Sequence, residues 1–305
     1  MTRAAALAGA LLLAAVLLAC DSGSAGEVER SPRPSDGVLR VGVTLSVFAD
    51  FVREIAGDRA EVFSLLPPGA DPHTYEPTPS DIESIASADV IFVNDTEPGV
   101  EGSILDVIAA NKAGDAKVVA FVPNVQAPAD KNPHLWLDPL LAREYVRVVA
   151  DTLAGEDASN AAAYTANLDA YSHRLSQLDV DIAAAVDKIP PEDRKLVTVH
   201  DAFVHLARRY SLQVVGFLVG GADEDPSPRT IADLTEAIED GGVPAVFGEP
   251  QIGPETRLLE QIADDTGAKV CTLYSDTLDE RAPAYIEMMR FNADELVRCL
   301  GGAGG

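Results

Sequence analysis

Residues 158–188 run for about thirty positions without a single Gly or Pro, and this stretch limits the fold more than any other feature of the chain. Leu168, Tyr171, Leu175, Leu178 and Ile182 recur at three- and four-residue spacing, the period of a helix with one apolar stripe. Pro190-Pro191 ends it. At about 1.5 Å per residue such a helix reaches over 40 Å. That is longer than one small lobe needs, so the run is expected to be a stiff spine along the whole molecule. A flexible hinge would need a short, loose linker instead. Asp138-Pro139, an N-cap followed by a first-turn proline, opens another helix through Leu153 just before it.

Strands alternate with helices on both sides of the spine. Before it, Val38 to Val47, Glu61 to Leu66, Val90 to Asn94 and Ala116 to Val122 read as strands, with helices over Phe48 to Ala56 and from Thr78-Pro79-Ser80-Asp81. After it, Lys195 to Val199, Gln213 to Val219, Ala245 to Phe247 and Lys269 to Tyr274 alternate with helices over Asp201 to Tyr210, Pro228 to Asp240 and Pro254 to Thr266. A closing helix covers Tyr285 to Leu300. This rhythm predicts an α/β fold of two doubly wound parallel-sheet lobes joined by one long rigid backbone helix. The expected boundaries are an N-terminal lobe over 38–155, a linking helix over 156–190 and a C-terminal lobe over 191–305.

The first residues set the compartment. Met1-Thr2-Arg3 is a basic start, Ala4 to Ala19 is an uncharged apolar run too short to span a bilayer, and Leu17-Leu18-Ala19-Cys20 closes it. That is the pattern of a bacterial lipoprotein signal over 1–19, in which Cys20 becomes a lipidated N-terminus. Residues 20–37, rich in Ser, Gly, Pro and charge, then read as a flexible tether. The mature protein is expected outside the cytoplasm, anchored to the cell membrane by its lipid. The formal net charge of −26 argues against nucleic acid as a partner and agrees with cation capture.

Three of the five histidines stand just beyond apolar runs and far apart in sequence: His73, His134 and His200. Asp276 follows the last predicted strand in the same way. In open α/β sheets, ligands bind beyond the carboxyl ends of the strands. Two of these residues come from each lobe, so they converge only if the site lies between lobes. Three imidazoles and one carboxylate would complete the shell of a borderline divalent cation. Glu249, also at a strand end, is either the acceptor that orients a ligand histidine or a competing carboxylate ligand. His205, about 140° round its helix from His200, and His173, read as buried in the spine, are expected to be structural or surface residues. Asp201 reads as a helix N-cap and Asp71 as a turn-former. No HExxH and no G-x-S-x-G occurs, and four ligands would close the shell, so no enzyme activity is expected.

ADPHTYEPTPSDI, NPHLWLDP, TVHDAFVHLARRYSL and GEPQ…LYSDTL together resemble the metal-binding lipoproteins of zinc and manganese ABC transporters. The resemblance implies that a metal buried between the lobes is handed to an ABC permease driven by its ATPase. It puts His73, His134, His200 and Asp276 at the ligand positions. Manganese-preferring relatives often carry Glu where this chain has His200. Zinc-preferring ones often carry a His-rich loop, and Pro123 to Pro133 contains no His. Zinc is the expected cargo, with manganese the alternative, and the protein is expected to be a monomer. An adhesin role, assigned to some relatives, finds no repeat or exposed aromatic patch here. Cys271 in the last strand and Cys299 near the end of the closing helix are expected to pair as a disulfide.

Overall fold

The computed structural model describes residues 38–96, 100–126, 131–220 and 225–301. The expectations for the signal, the tether and Cys20 concern positions outside them. The N-terminal lobe holds β1 (Leu39–Val43), α1 (Ser46–Ala56), β2 (Ala60–Ser64), α2 (Pro79–Ser87), β3 (Val90–Val93), α3 (Ile104–Asn111) and β4 (Lys117–Ala120). Two long helices follow, α4 (Pro139–Glu156) and α5 (Ala161–Val186). The C-terminal lobe holds β5 (Lys195–His200), α6 (Val204–Tyr210), β6 (Gln213–Val219), α7 (Pro228–Gly241), β7 (Ala245–Gly248), α8 (Gly253–Thr266), β8 (Lys269–Thr272) and α9 (Tyr285–Leu300).

Both sheets are parallel, and both have the same strand order: β2-β1-β3-β4 in the first lobe and β6-β5-β7-β8 in the second. The two lobes thus repeat one topology although their residues do not visibly repeat. In this order the chain reverses its direction of growth between β1 and β3, and again between β5 and β7. Crevices open at such switch points. His200 is the last residue of β5 and Glu249 immediately follows β7, so the second switch point carries both.

The spine is α5, a helix of 26 residues and so about 39 Å long. It is shorter than the sequence suggests because Ala158–Asn160 forms a separate 3₁₀ turn before it. Tyr171, Leu175, Leu178 and Ile182 are buried as their spacing requires, and Leu168 packs partly against the same core. His173 is exposed, which corrects its reading as a buried residue: it lies off the apolar stripe. Polar bonds tie the spine to both lobes. Asn167 donates to the Ile55 carbonyl at 2.8 Å and Arg174 pairs with Glu54 at 2.7 Å in the first lobe. Asp179 accepts from Arg209 and from the Tyr210 hydroxyl in the second.

One apolar core runs through both lobes and the spine. A smaller one lies on the outer face of the second sheet, where Val197 and Val199 meet α7 and α8. The start of α9 reaches into the first lobe. The Tyr285 amide donates to Asp50 at 3.0 Å, its hydroxyl donates to the Trp136 carbonyl at 2.6 Å, and its ring lies 4.8 Å from Phe51. Burial pushes the Asp50 carboxyl up to about 6. Cys271 and Cys299 have Cα atoms 6.7 Å apart, with their sulfurs within bonding distance.

Candidate metal centre

His73, His134, His200 and Asp276 converge where the two lobes face each other, each offering a ligand atom within 4.8 Å of the others'. His134, His200 and Asp276 are buried, and His73 is half-buried with its Nε2 inaccessible. His134 Nε2 lies 3.4 Å from His200 Nε2; Asp276 Oδ1 lies 3.7 Å from the first of these nitrogens and Oδ2 3.7 Å from the second.

Local sequence aims each group. After β2, Pro67-Pro68-Gly69 turns the chain, with Gly69 at a φ of 81° that favours glycine. The Gly69 amide donates to Thr277 Oγ1 at 2.7 Å, tying the His73 loop to the Asp276 loop across the cleft. Asp71 accepts from the His73 amide and from Thr74 Oγ1, the turn-forming role its sequence suggests. Gly102, at a φ of 47°, lets its loop back onto His73: a Cβ there would stand 3.1 Å from the His73 carbonyl oxygen.

The loop of His134 is held by Asn132 and Asn94. Asn132 Oδ1 pairs with His134 Nδ1 at 3.0 Å, while its Nδ2 donates to the Asp201 carbonyl and its carbonyl lies 2.9 Å from His205 Nε2. Asn94 Nδ2 donates to the Pro133 carbonyl at 3.0 Å, and the Asn94 amide donates to buried Glu101, whose carboxyl burial pushes up to about 7. Asp201 is not the N-cap of α6. Phe203 holds that position because the chain makes a turn over 201–203 before the helix begins.

Glu249 stands behind His200, with Oε1 2.8 Å from Nδ1. Its Oε2 accepts from Ser275 Oγ and from Gln251 Nε2. Both oxygens are therefore engaged, and Glu249 is not one of the four residues whose ligand atoms cluster. With the Nδ1 atoms of His134 and His200 turned to Asn132 and Glu249, the lone pairs left for a ligand sit on Nε2.

Electrostatics separate the two buried imidazoles. Burial holds His134 well below the usual histidine range, and its imidazole neighbours His200 and His73 push the same way. Burial also opposes charging of His200, but the Glu249 carboxylate outweighs it, with Asp276 adding, and lifts His200 to about 9. Burial raises Asp276, against the imidazoles that lower it. With its pKa lifted in this way, His200 carries a proton on each ring nitrogen at neutral pH; Glu249 holds the one on Nδ1, and a cation entering at Nε2 displaces the other.

Sequence reasoning gave no role to Asn132, Gln251 or Ser275, although each adjoins or lies near a candidate ligand in the quoted motifs. Trp136 is similar: its indole donates to the Ser275 carbonyl at 2.8 Å, across the cleft.

The chain matches the family model for the periplasmic zinc-uptake complex component A over residues 41–299. Among curated relatives, a manganese-binding lipoprotein, MntA of Halalkalibacterium halodurans, is 30% identical over 268 residues, covering 85% of this chain and 87% of its own. The iron-binding protein YfeA of Yersinia pestis is 29% identical, covering 91% of each. Among solved structures, the periplasmic zinc-binding protein TroA of Treponema pallidum superposes with a TM-score of 0.78 at 27% identity, covering 87% of this chain and 99% of that one.

Proposed function

This chain belongs to the zinc-uptake component A family, the substrate-binding proteins of metal ABC transporters, and on that premise we propose that it captures zinc between its lobes for delivery to a permease and its ATPase. One observation carries the choice of metal: three imidazole nitrogens and one carboxylate face a common point. Such a donor set suits Zn²⁺, whereas Mn²⁺ seeks more oxygen. His73, His134, His200 and Asp276 hold the ion, and Glu249 orients His200. Manganese is the second reading, favoured by the manganese names of several relatives. Metal analysis of protein recovered from membranes of cells grown without added metal decides between them. Zinc near one equivalent is expected; manganese in its place would reverse the assignment.

We further propose that the protein is a monomer held at the outer face of the cell membrane by lipid on Cys20. No helix among the described residues is long and apolar enough to cross a membrane. The Cys20→Ser protein should move from the membrane fraction to the soluble one, since the tether carries no apolar segment to hold it. Retention in the membrane would refute the anchor.

Cys271 and Cys299, on β8 and α9, are proposed to form a disulfide that pins the last helix beside the Asp276 loop. Their Cα separation of 6.7 Å lies inside the range a disulfide needs. Titration of the unreduced, unfolded protein should find neither thiol free. Two free thiols would remove the bond from this account.

A further inference from the structure

We propose that Gln251 sets the metal preference of this site by engaging both nearby carboxylates, so that Asp276 offers one oxygen and Glu249 none. The inference rests on the reading of His73, His134, His200 and Asp276 as the cargo site. Gln251 follows β7 by three residues and is largely buried. Its amide nitrogen carries two hydrogens and faces three acceptors: Ser275 Oγ at 2.7 Å, Asp276 Oδ2 at 3.3 Å and Glu249 Oε2 at 3.3 Å.

The two oxygens of Asp276 therefore differ. Oδ2 shares a hydrogen from Gln251, which draws charge from it and fixes the plane of the carboxylate. Oδ1 is buried with no hydrogen-bond partner among the described residues. The unpartnered oxygen is the better donor to a cation, and the occupied one the poorer. Glu249 is closed off twice over, by the His200 imidazole on Oε1 and by Ser275 and Gln251 on Oε2. Three nitrogens and one oxygen then remain, the number and kind that a tetrahedral Zn²⁺ takes. An ion that seeks six donors, mostly oxygen, finds neither the second oxygen of Asp276 nor any of Glu249.

Gln251→Met tests this, because methionine keeps the unbranched length and lacks the donor. The readouts are the ratio of Zn²⁺ to Mn²⁺ affinities by competition titration and the visible spectrum of bound Co²⁺, whose intensity falls as coordination rises above four. The wild-type protein should give the intense four-coordinate Co²⁺ spectrum. The variant should give a weaker one, and its Zn²⁺:Mn²⁺ ratio should fall at least about tenfold, the scale on which partners of metal ligands act. An unchanged ratio and spectrum in the variant would overturn the role of Gln251, and so would a weak, high-coordinate spectrum in the wild type, which needs no variant to fold. Failure of the cargo-site reading looks different: wild-type protein would then bind none of the three ions, or bind them equally well after His200→Ala.

Discussion

Replacing His200 with alanine will lower zinc affinity by at least about a hundredfold, more than the 10–100-fold cost typical of losing a partner behind a ligand. His200 is fully buried at the end of β5, facing His134 and Asp276, so no neighbouring side chain or solvent can take its place without rearranging the cleft. Alanine would also leave Glu249 buried without its imidazole partner, a second cost to the metal-free fold. His73→Ala and His134→Ala should each cost a comparable amount. His173→Ala should cost nothing, since that ring is exposed on the spine. His205→Ala should fall between: its Nε2 lies against the carbonyl of Asn132, the residue that orients His134, so a loss of a few-fold is expected. The measurement is a competition titration of all five variants. A loss at His205 as large as at His200 would mean that His205, on α6, also reaches the metal.

Zinc affinity will rise about tenfold per pH unit between pH 7 and roughly 9. His134 is already neutral there because burial holds its pKa down, but His200 keeps its proton until about 9 through the Glu249 carboxylate. Each zinc bound at neutral pH must therefore expel one proton, and affinity falls as pH drops below about 9. Unperturbed imidazoles would have delayed that fall until about 6.5. The same shift acts on the metal-free fold. A pKa raised above its unfolded value contributes stability that is fully present below about 6.5 and lost as pH rises through about 9. Metal-free protein should thus lose stability over that window. Zinc at a thousandfold excess over its dissociation constant should add about 4.1 kcal/mol. Calorimetry in buffers of different ionisation enthalpy counts the protons; zero release at pH 7.5 would contradict the pairing of His200 with Glu249. Glu249→Gln should move the onset of proton release towards the ordinary histidine range.

The parts of this architecture that were legible in the sequence are those set by local pattern. The stripe from Leu168 to Ile182 gave the spine because helical periodicity depends on neighbours three and four positions away. Thr78-Pro79 and Asp138-Pro139 marked their helix starts because capping is decided within one turn: the Thr78 amide donates to Asp81, and Asp138 accepts from the Leu140 amide. The helix Ile104–Asn111 escaped notice, being only eight residues long and bounded by no strong cap. Asp201 was misread as a cap because a turn intervenes that its side chain alone does not announce. The ligand candidates could be found because strand ends in this class of sheet converge. The bonds that aim them could not, since Glu249 to His200 spans 49 residues and Asn132 to Asp201 spans 69. The first pair exists only once β5 and β7 have paired in one sheet, the second only once the two lobes have packed, and no local pattern encodes either.

A crystal of the zinc-loaded protein, measured on both sides of the zinc absorption edge, tests the central claim most directly. One anomalous peak is expected between the lobes, about 2.0–2.2 Å from the Nε2 atoms of His73, His134 and His200 and from one oxygen of Asp276. A peak elsewhere, or a shell in which Glu249 replaces one of these four, would contradict it.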